Sequence, residues 1–225
     1  MYLNKNCLIA KLEAFAPLDT QEKWDCCGWQ VEHSDVVDVH KIMFALTVTD
    51  SVFEQAKALG CDLIIAHHPL FTVPLKYKDI QIYSAHTNMD KALGGTTDTI
   101  LEKIGLQATS IEDEFVRVVK LEAPMLVDEL KDLLKTISPK LRYVNNLNVE
   151  DISSIAFCAG SGGDFIEHID VDAFVTGDLK YHTACETEKV VFDIGHFESE
   201  VLIKEKFSKI LGVEGVMADE KTPFI

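Results

Sequence analysis

Three places in this chain set metal-ligating side chains directly after a short apolar run. Asp62-Leu63-Ile64-Ile65-Ala66 leads into His67-His68-Pro69, and Ile80-Gln81-Ile82-Tyr83-Ser84-Ala85 leads into His86-Thr87-Asn88-Met89-Asp90. Lys189-Val190-Val191-Phe192-Asp193-Ile194 leads into Gly195-His196-Phe197-Glu198-Ser199-Glu200. Imidazole and carboxylate donors without thiolate suit Zn, Fe, Mn or Co and do not select among them. His196 and Glu200 are four residues apart at the start of a helix, so they share a face and can grip one ion or two neighbouring ones. His67 and His68 are adjacent, and neighbours in extended backbone point apart. To serve one centre they must sit at the irregular end of a strand, with one histidine for each of two ions. Spacing does not choose between His86 and Asp90. Such a set cannot complete two closed tetrahedral shells. It suffices for an open two-metal hydrolytic site, with ions roughly 3.5–4 Å apart.

The elements that must position these residues follow from the pattern around them. A continuous apolar run bounded by turn signals reads as a strand buried on both faces. Pro69 ends the first one and biases His68 toward extended geometry. Ligands in open α/β sheets bind beyond the carboxyl ends of strands, where these histidines fall. Upstream, residues 41–48 form a strand, and residues 52–59 form a helix with Ser51 and Glu54 as a capping box and Gly60 as its stop. The unit is strand–helix–strand, with a right-handed crossover. Residues 6–16 predict an N-terminal helix ended by Pro17, and residues 99–104 another. A second pass begins near Phe115: strands at 116–121, 141–144, 152–158 and 171–176, and a helix over 125–137 between Pro124 and Pro139. Ile203, Phe207, Ile210 and Leu211 share one face of a last helix, followed by a strand at 213–218. The expected class is α/β: two related α/β domains, residues 1–115 and 116–225, with mixed sheets flanked by helices. The last helix and strand, about 197–225, can pack back on the first.

Composition narrows the function. Of 225 residues, 47% are hydrophobic and 26% charged, which excludes disorder and fibrous repeats. With 37 acidic against 21 basic residues the formal charge is −16, so neither nucleic acid nor an anionic membrane is expected as a partner. No signal peptide or membrane span is evident, and six cysteines without a C-x-x-C pair point to a reducing, cytoplasmic setting. Cys26 and Cys27 lack a recognisable base beside them and read as packing. Gly160-Ser161-Gly162-Gly163 could form an anion nest, but matches neither phosphate-loop pattern, so a plain strand–helix turn is favoured. Asp178 and His182 are i, i+4 neighbours if helical, and could support a ligand or serve as acid and base. His33, His40 and His168 read as structural or solvated, and Lys76 and Lys78 as a solvated pair.

Five motifs, in order along nearly the whole chain, resemble the Nif-three-like family, the GTP cyclohydrolase I type 2 homologues. They are Ile64-Ile65-Ala66-His67-His68-Pro69-Leu70, Ala85-His86-Thr87-Asn88-Met89-Asp90, Ala159-Gly160-Ser161-Gly162, Thr176-Gly177-Asp178-Leu179-Lys180-Tyr181-His182, and Gly195-His196 through Glu200. The resemblance implies a Nif-three-like fold in its short form, lacking the inserted middle domain of some members. It also implies a toroidal homohexamer and two divalent metal ions held by His67, His68, Asp90, His196 and Glu200. His86 is then left as a nearby group. The implied activity is a dinuclear metal-dependent hydrolase, such as a GTP cyclohydrolase-type enzyme in which metal-activated hydroxide opens the purine ring. His86 or His182 would shuttle protons, and Asp178 would assist. The alternatives are a metal-dependent phosphoesterase and a non-enzymatic metal-binding or regulatory protein. The chain departs from the family at Cys26-Cys27 and Trp29 in an early motif, at Ser199, and at Thr47, where Asp is frequent.

Overall fold

In a computed structural model describing residues 3–224, the apolar runs become strands of two separate sheets. β1 (Leu3–Asn4) leads into α1 (Lys5–Phe15), β2 (Gly28–Val31) and β3 (Asp38–Val39), which pairs back onto β1. Then come β4 (Ile42–Ala45), α2 (Asp50–Ala58), β5 (Leu63–Ala66), β6 (Gln81–Ser84) and the short α3 (Thr87–Lys91). The middle of the chain supplies α4 (Thr96–Ile104), β7 (Ser110–Glu112), β8 (Val116–Leu126), α5 (Val127–Leu134), β9 (Arg142–Val144) and β10 (Asp151–Phe157). It continues with β11 (Ala173–Thr176), α6 (Tyr181–Glu186), β12 (Val190–Asp193) and α7 (His196–Glu200). The last elements are α8 (Ile203–Leu211) and β13 (Val216–Met217).

These elements form two units. Residues through Gly95, joined by those from Ile203 onward, make the first, and Thr96–Leu202 makes the second. The division falls ahead of α4 because Ile100, Leu101 and Ile104 bury themselves with Val119, Leu130 and Phe157 of the second unit.

The first unit holds a five-stranded sheet ordered β13-β4-β5-β6-β2. β13, β4, β5 and β6 run parallel, and β2 closes one edge antiparallel to β6. All four residues of β4 and of β5 are buried, as a strand covered on both faces requires. Met43, Ala45, Ile64 and Ile82 meet Val52, Phe53 and Ala56 of α2. Toward the other face, Phe44 packs on Phe207 of α8, which also packs on α1. Thr49, rather than Ser51, caps α2 by accepting from the Val52 N–H, so the helix begins earlier than the Ser51–Glu54 pattern suggested.

The second unit holds a six-stranded sheet ordered β7-β8-β10-β11-β12-β9. Its centre, β10-β11-β12, is parallel, and its flanks are antiparallel. α4 and α5 cover one face, and Ile166, Ile169 and Val171 belong to the core on the other. β8 continues through Pro124 to Leu126, displacing the start of α5 to Val127, with an irregular register where Ile152 and Ser154 face it. The predicted helix after the glycine turn is only a 3-10 turn, Gly163–Phe165. Arg117 is fully buried and donates from Nε to Asp98 Oδ2 at 2.8 Å. Among the described residues, no helix is long and apolar enough to cross a membrane.

Candidate metal centre

In the first unit, β5 and β6 end side by side, and their carboxyl ends deliver His67, His68 and His86. Pairing stops regular alternation just where the histidines begin. The N–H groups of His67 and His68, though consecutive, both turn toward the β4 side, donating to Ala45 O at 3.2 Å and Leu46 O at 2.9 Å. The two rings therefore do not point apart. Their centroids are 5.1 Å from each other, and those of His86 lie 5.1 Å and 5.6 Å away. One nitrogen from each of the three rings lies within 4.8 Å of the others, a group able to hold a metal ion.

What lies behind each ring decides which nitrogen is offered. His67 is fully buried, and its Nδ1 donates to Ala85 O at 2.9 Å. A carbonyl can only accept, so this fixes the proton on Nδ1 and leaves the Nε2 lone pair forward. Nε2 faces Asp90 Oδ1 at 3.4 Å, longer than a good hydrogen bond but suited to two donors flanking one cation. α3 makes this possible: a single turn after His86 carries Asp90 back beneath the strand end. His68 Nδ1 is 2.7 Å from the Thr47 hydroxyl. His86 Nδ1 donates to both oxygens of Asp25 at 3.1 Å.

Asp25 is the site residue that sequence reasoning passed over. Its side chain is fully buried. Burial alone would raise its pKa, but hydrogen bonds from Thr87 and Cys27 and the charge and hydrogen bond of His86 outweigh this and hold the carboxyl well below its usual range. The Thr87 hydroxyl and N–H both donate to Oδ2, and the Cys26 N–H donates to Oδ1 at 2.8 Å. The signal lay in a carboxylate inside Trp24-Asp25-Cys26-Cys27-Gly28, a turn dense with short-range bonds. Cys27 is a donor here, its Sγ 3.1 Å from Asp25 Oδ2, and its thiol is pushed up to about 12, mainly by burial.

The second unit carries its own pair. His196 opens α7 and Glu200 lies one turn on, with His196 Nε2 at 3.0 Å from Glu200 Oε2. His196 Nδ1 donates to Asp178 Oδ2 at 2.6 Å. Chiefly the hydrogen bond to Glu200, opposed by burial and aided by its charge and by Asp178, raises the His196 pKa to about 9. The ring thus lies between two carboxylates, one facing each of its nitrogens. Asp178 does not share a helix with His182. It sits at a positive φ of 53° ahead of α6, whereas His182 lies exposed on α6 with its ring against Tyr181.

Glycines bring backbone up against this pair. A Cβ at Gly160, which has φ +63°, would fall 2.2 Å from Glu200 Oε1, and one at Gly177 would fall 2.7 Å from the backbone nitrogen of His196. The Gly160 N–H donates to Ser199 Oγ and the Gly162 N–H to Thr176 Oγ1, each at 2.9 Å. These two amides are committed to the protein itself, as in a packing turn. Lys76 pairs with Asp50 at 2.6 Å.

The chain resembles known proteins along nearly its full length. A protein from Clostridium perfringens named GTP cyclohydrolase 1 type 2 homolog is 35% identical, with 97% of this chain and 98% of that protein covered. A protein of the same name from Campylobacter jejuni is 31% identical over 95% of each chain. Among solved structures, reduced HcgD from Methanocaldococcus jannaschii superposes with a TM-score of 0.87 at 27% identity, covering 98% of this chain and 99% of that one. The family model for Duf34/NIF3 (NGG1p interacting factor 3) matches residues 3–221, and the chain belongs to this family.

Proposed function

We propose that this protein is a dinuclear metal-dependent hydrolase, with His67, His68, Asp90, His196 and Glu200 as ligands of two divalent ions, Zn, Fe or Mn. The observation that carries the reading is the anchoring of the imidazoles. His67, His86 and His196 each give Nδ1 to an acceptor and so keep Nε2 for a ligand or a proton. The nitrogen and oxygen donors fit such ions. Bound divalent ions supply Lewis acidity and can bring the pKa of water down to about 7.

The chain's own part is positioning and proton transfer. His86, with Nδ1–H on the buried Asp25 carboxylate, can accept a proton at Nε2, and Asp25 stabilises the resulting imidazolium. Asp178 holds His196 in place. The names of the relatives support a purine nucleotide as substrate, with ring opening and loss of formate as the reaction. The family resemblance supports a homohexamer, which sedimentation would measure directly.

The test is to load the purified protein with each metal, add GTP, and assay formate alongside inorganic phosphate. Formate above that of His68→Ala protein supports the reading. Phosphate without formate selects a phosphoesterase. Neither product, from protein carrying two ions, sinks the hydrolase and leaves a non-enzymatic metal protein.

A further inference from the structure

Three of the four anchored histidines rest on partners that can only accept. His67 faces the Ala85 carbonyl, His86 the Asp25 carboxylate and His196 the Asp178 carboxylate. A carbonyl or carboxylate forces the proton onto Nδ1 and frees Nε2. His68 differs, because its Nδ1 faces a hydroxyl, Thr47 Oγ1, at 2.7 Å. A hydroxyl donates or accepts with equal ease, so it allows the other tautomer, in which Nε2 carries the proton and cannot ligate.

The backbone that carries this hydroxyl is held firmly. Thr47 follows β4, and its N–H donates to Glu220 Oε1 at 2.8 Å, while the Leu46 N–H donates to Glu220 Oε2 at 2.8 Å. Leu46 O in turn accepts the His68 N–H at 2.9 Å. The Glu220 side chain is 7% exposed and pairs with Lys204 at 3.2 Å. Lys204 also donates to Ala218 O at 2.9 Å, so the C-terminal segment is itself pinned where Glu220 needs it.

We propose that Thr47 and Glu220 are positioning residues for His68: Glu220 fixes the turn, and the Thr47 hydroxyl sets the tautomer, and with it the affinity, of the ion that His68 holds. This rests on the reading of His68 as a metal ligand. Replacing an outer partner of a ligating histidine shifts affinity about 10- to 100-fold. Thr47→Asp supplies an acceptor-only partner, so the affinity of one ion should rise roughly 10-fold, with the other unchanged. Thr47→Val removes the partner and should lower the same affinity. Glu220 lies close enough to repel a new carboxylate, so Thr47→Asp is also made with Glu220→Gln.

The experiment is stepwise Zn titration of metal-free protein by calorimetry, with ¹⁵N NMR of the imidazoles in the unsubstituted metal-free protein. Expected is a mixture of tautomers at His68 against a single Nδ1–H form at His67 and His86. A single Nδ1–H form at His68, or Zn affinities indifferent to both substitutions, overturns the proposal while leaving the metal reading intact. Protein that takes up no Zn overturns the metal reading, and the proposal with it.

Discussion

Replacing Gly160 with alanine tests how tightly the glycine turn is fitted to the Glu200 carboxylate beside it. The new Cβ would lie 2.2 Å from Glu200 Oε1 and 3.2 Å from its Cδ. A carbon and an oxygen settle at about 3.3 Å or more, so the carboxylate must retreat by roughly an ångström. Glu200 is nearly buried and spans only 3.0 Å to His196 Nε2, so that retreat costs the charged hydrogen bond, worth roughly 1.5–3 kcal/mol. An alanine held at φ +63° adds about 1–2 kcal/mol. Together these give roughly 2.5–5 kcal/mol. Urea unfolding of metal-free protein measures the loss, and metal analysis after dialysis should show fewer ions per chain. A loss under about 1 kcal/mol with undiminished metal content would refute the reasoning, because the turn could then yield without disturbing Glu200.

Other expectations follow from the same structure. The His196 pKa is raised from 6.5 to about 9 in the folded metal-free protein, so its stabilising share is complete below pH 6.5 and disappears as pH rises through about 9. The urea midpoint difference between wild type and His196→Gln should shrink over that window, and a constant difference would argue against the ion pair. Cys27, with its thiol near 12, should alkylate far more slowly with iodoacetamide at pH 8 than exposed Cys7 and Cys185, as peptide mass spectrometry would show. Asp98→Ala removes the carboxylate to which the buried Arg117 guanidinium donates and should cost roughly 3–5 kcal/mol in urea unfolding.

The strands were the most legible part of the chain. Apolar runs such as Leu63–Ala66 and Val190–Asp193 carry their burial in composition, and the histidines at their ends mark where the sheet stops. Elements only one turn long were not legible. α3 has too few residues to show a period, yet it places Asp90, and the capping of α2 by Thr49 depended on a local contact that three adjacent capping residues left ambiguous. The site followed the same rule. Donor types and spacings picked out His67, His68, His196 and Glu200 as candidates, while resemblance was needed to prefer Asp90 over His86. The partners behind the rings, Asp25, Thr47 and Glu220, are brought to them from 61, 21 and 152 residues away in sequence, distances that no local pattern spans. Asp178 was noticed, but helical spacing linked it to His182, when a left-handed residue directs it to His196 instead.

The chain leaves the first unit at Gly95 and returns to it at Ile203, and this sets an order of events during synthesis. The middle segment is continuous and has all its strands once residue 202 has emerged, so it can fold on the ribosome ahead of its surroundings. The first sheet must wait with its β4 edge uncovered until β13 arrives, more than 170 residues after β4 was made. At about 5–20 residues per second that is a delay of roughly ten to thirty seconds. During it an apolar parallel strand offers its edge to any neighbouring nascent chain. Glu220, arriving last, closes that interval by capping the amides at the end of β4.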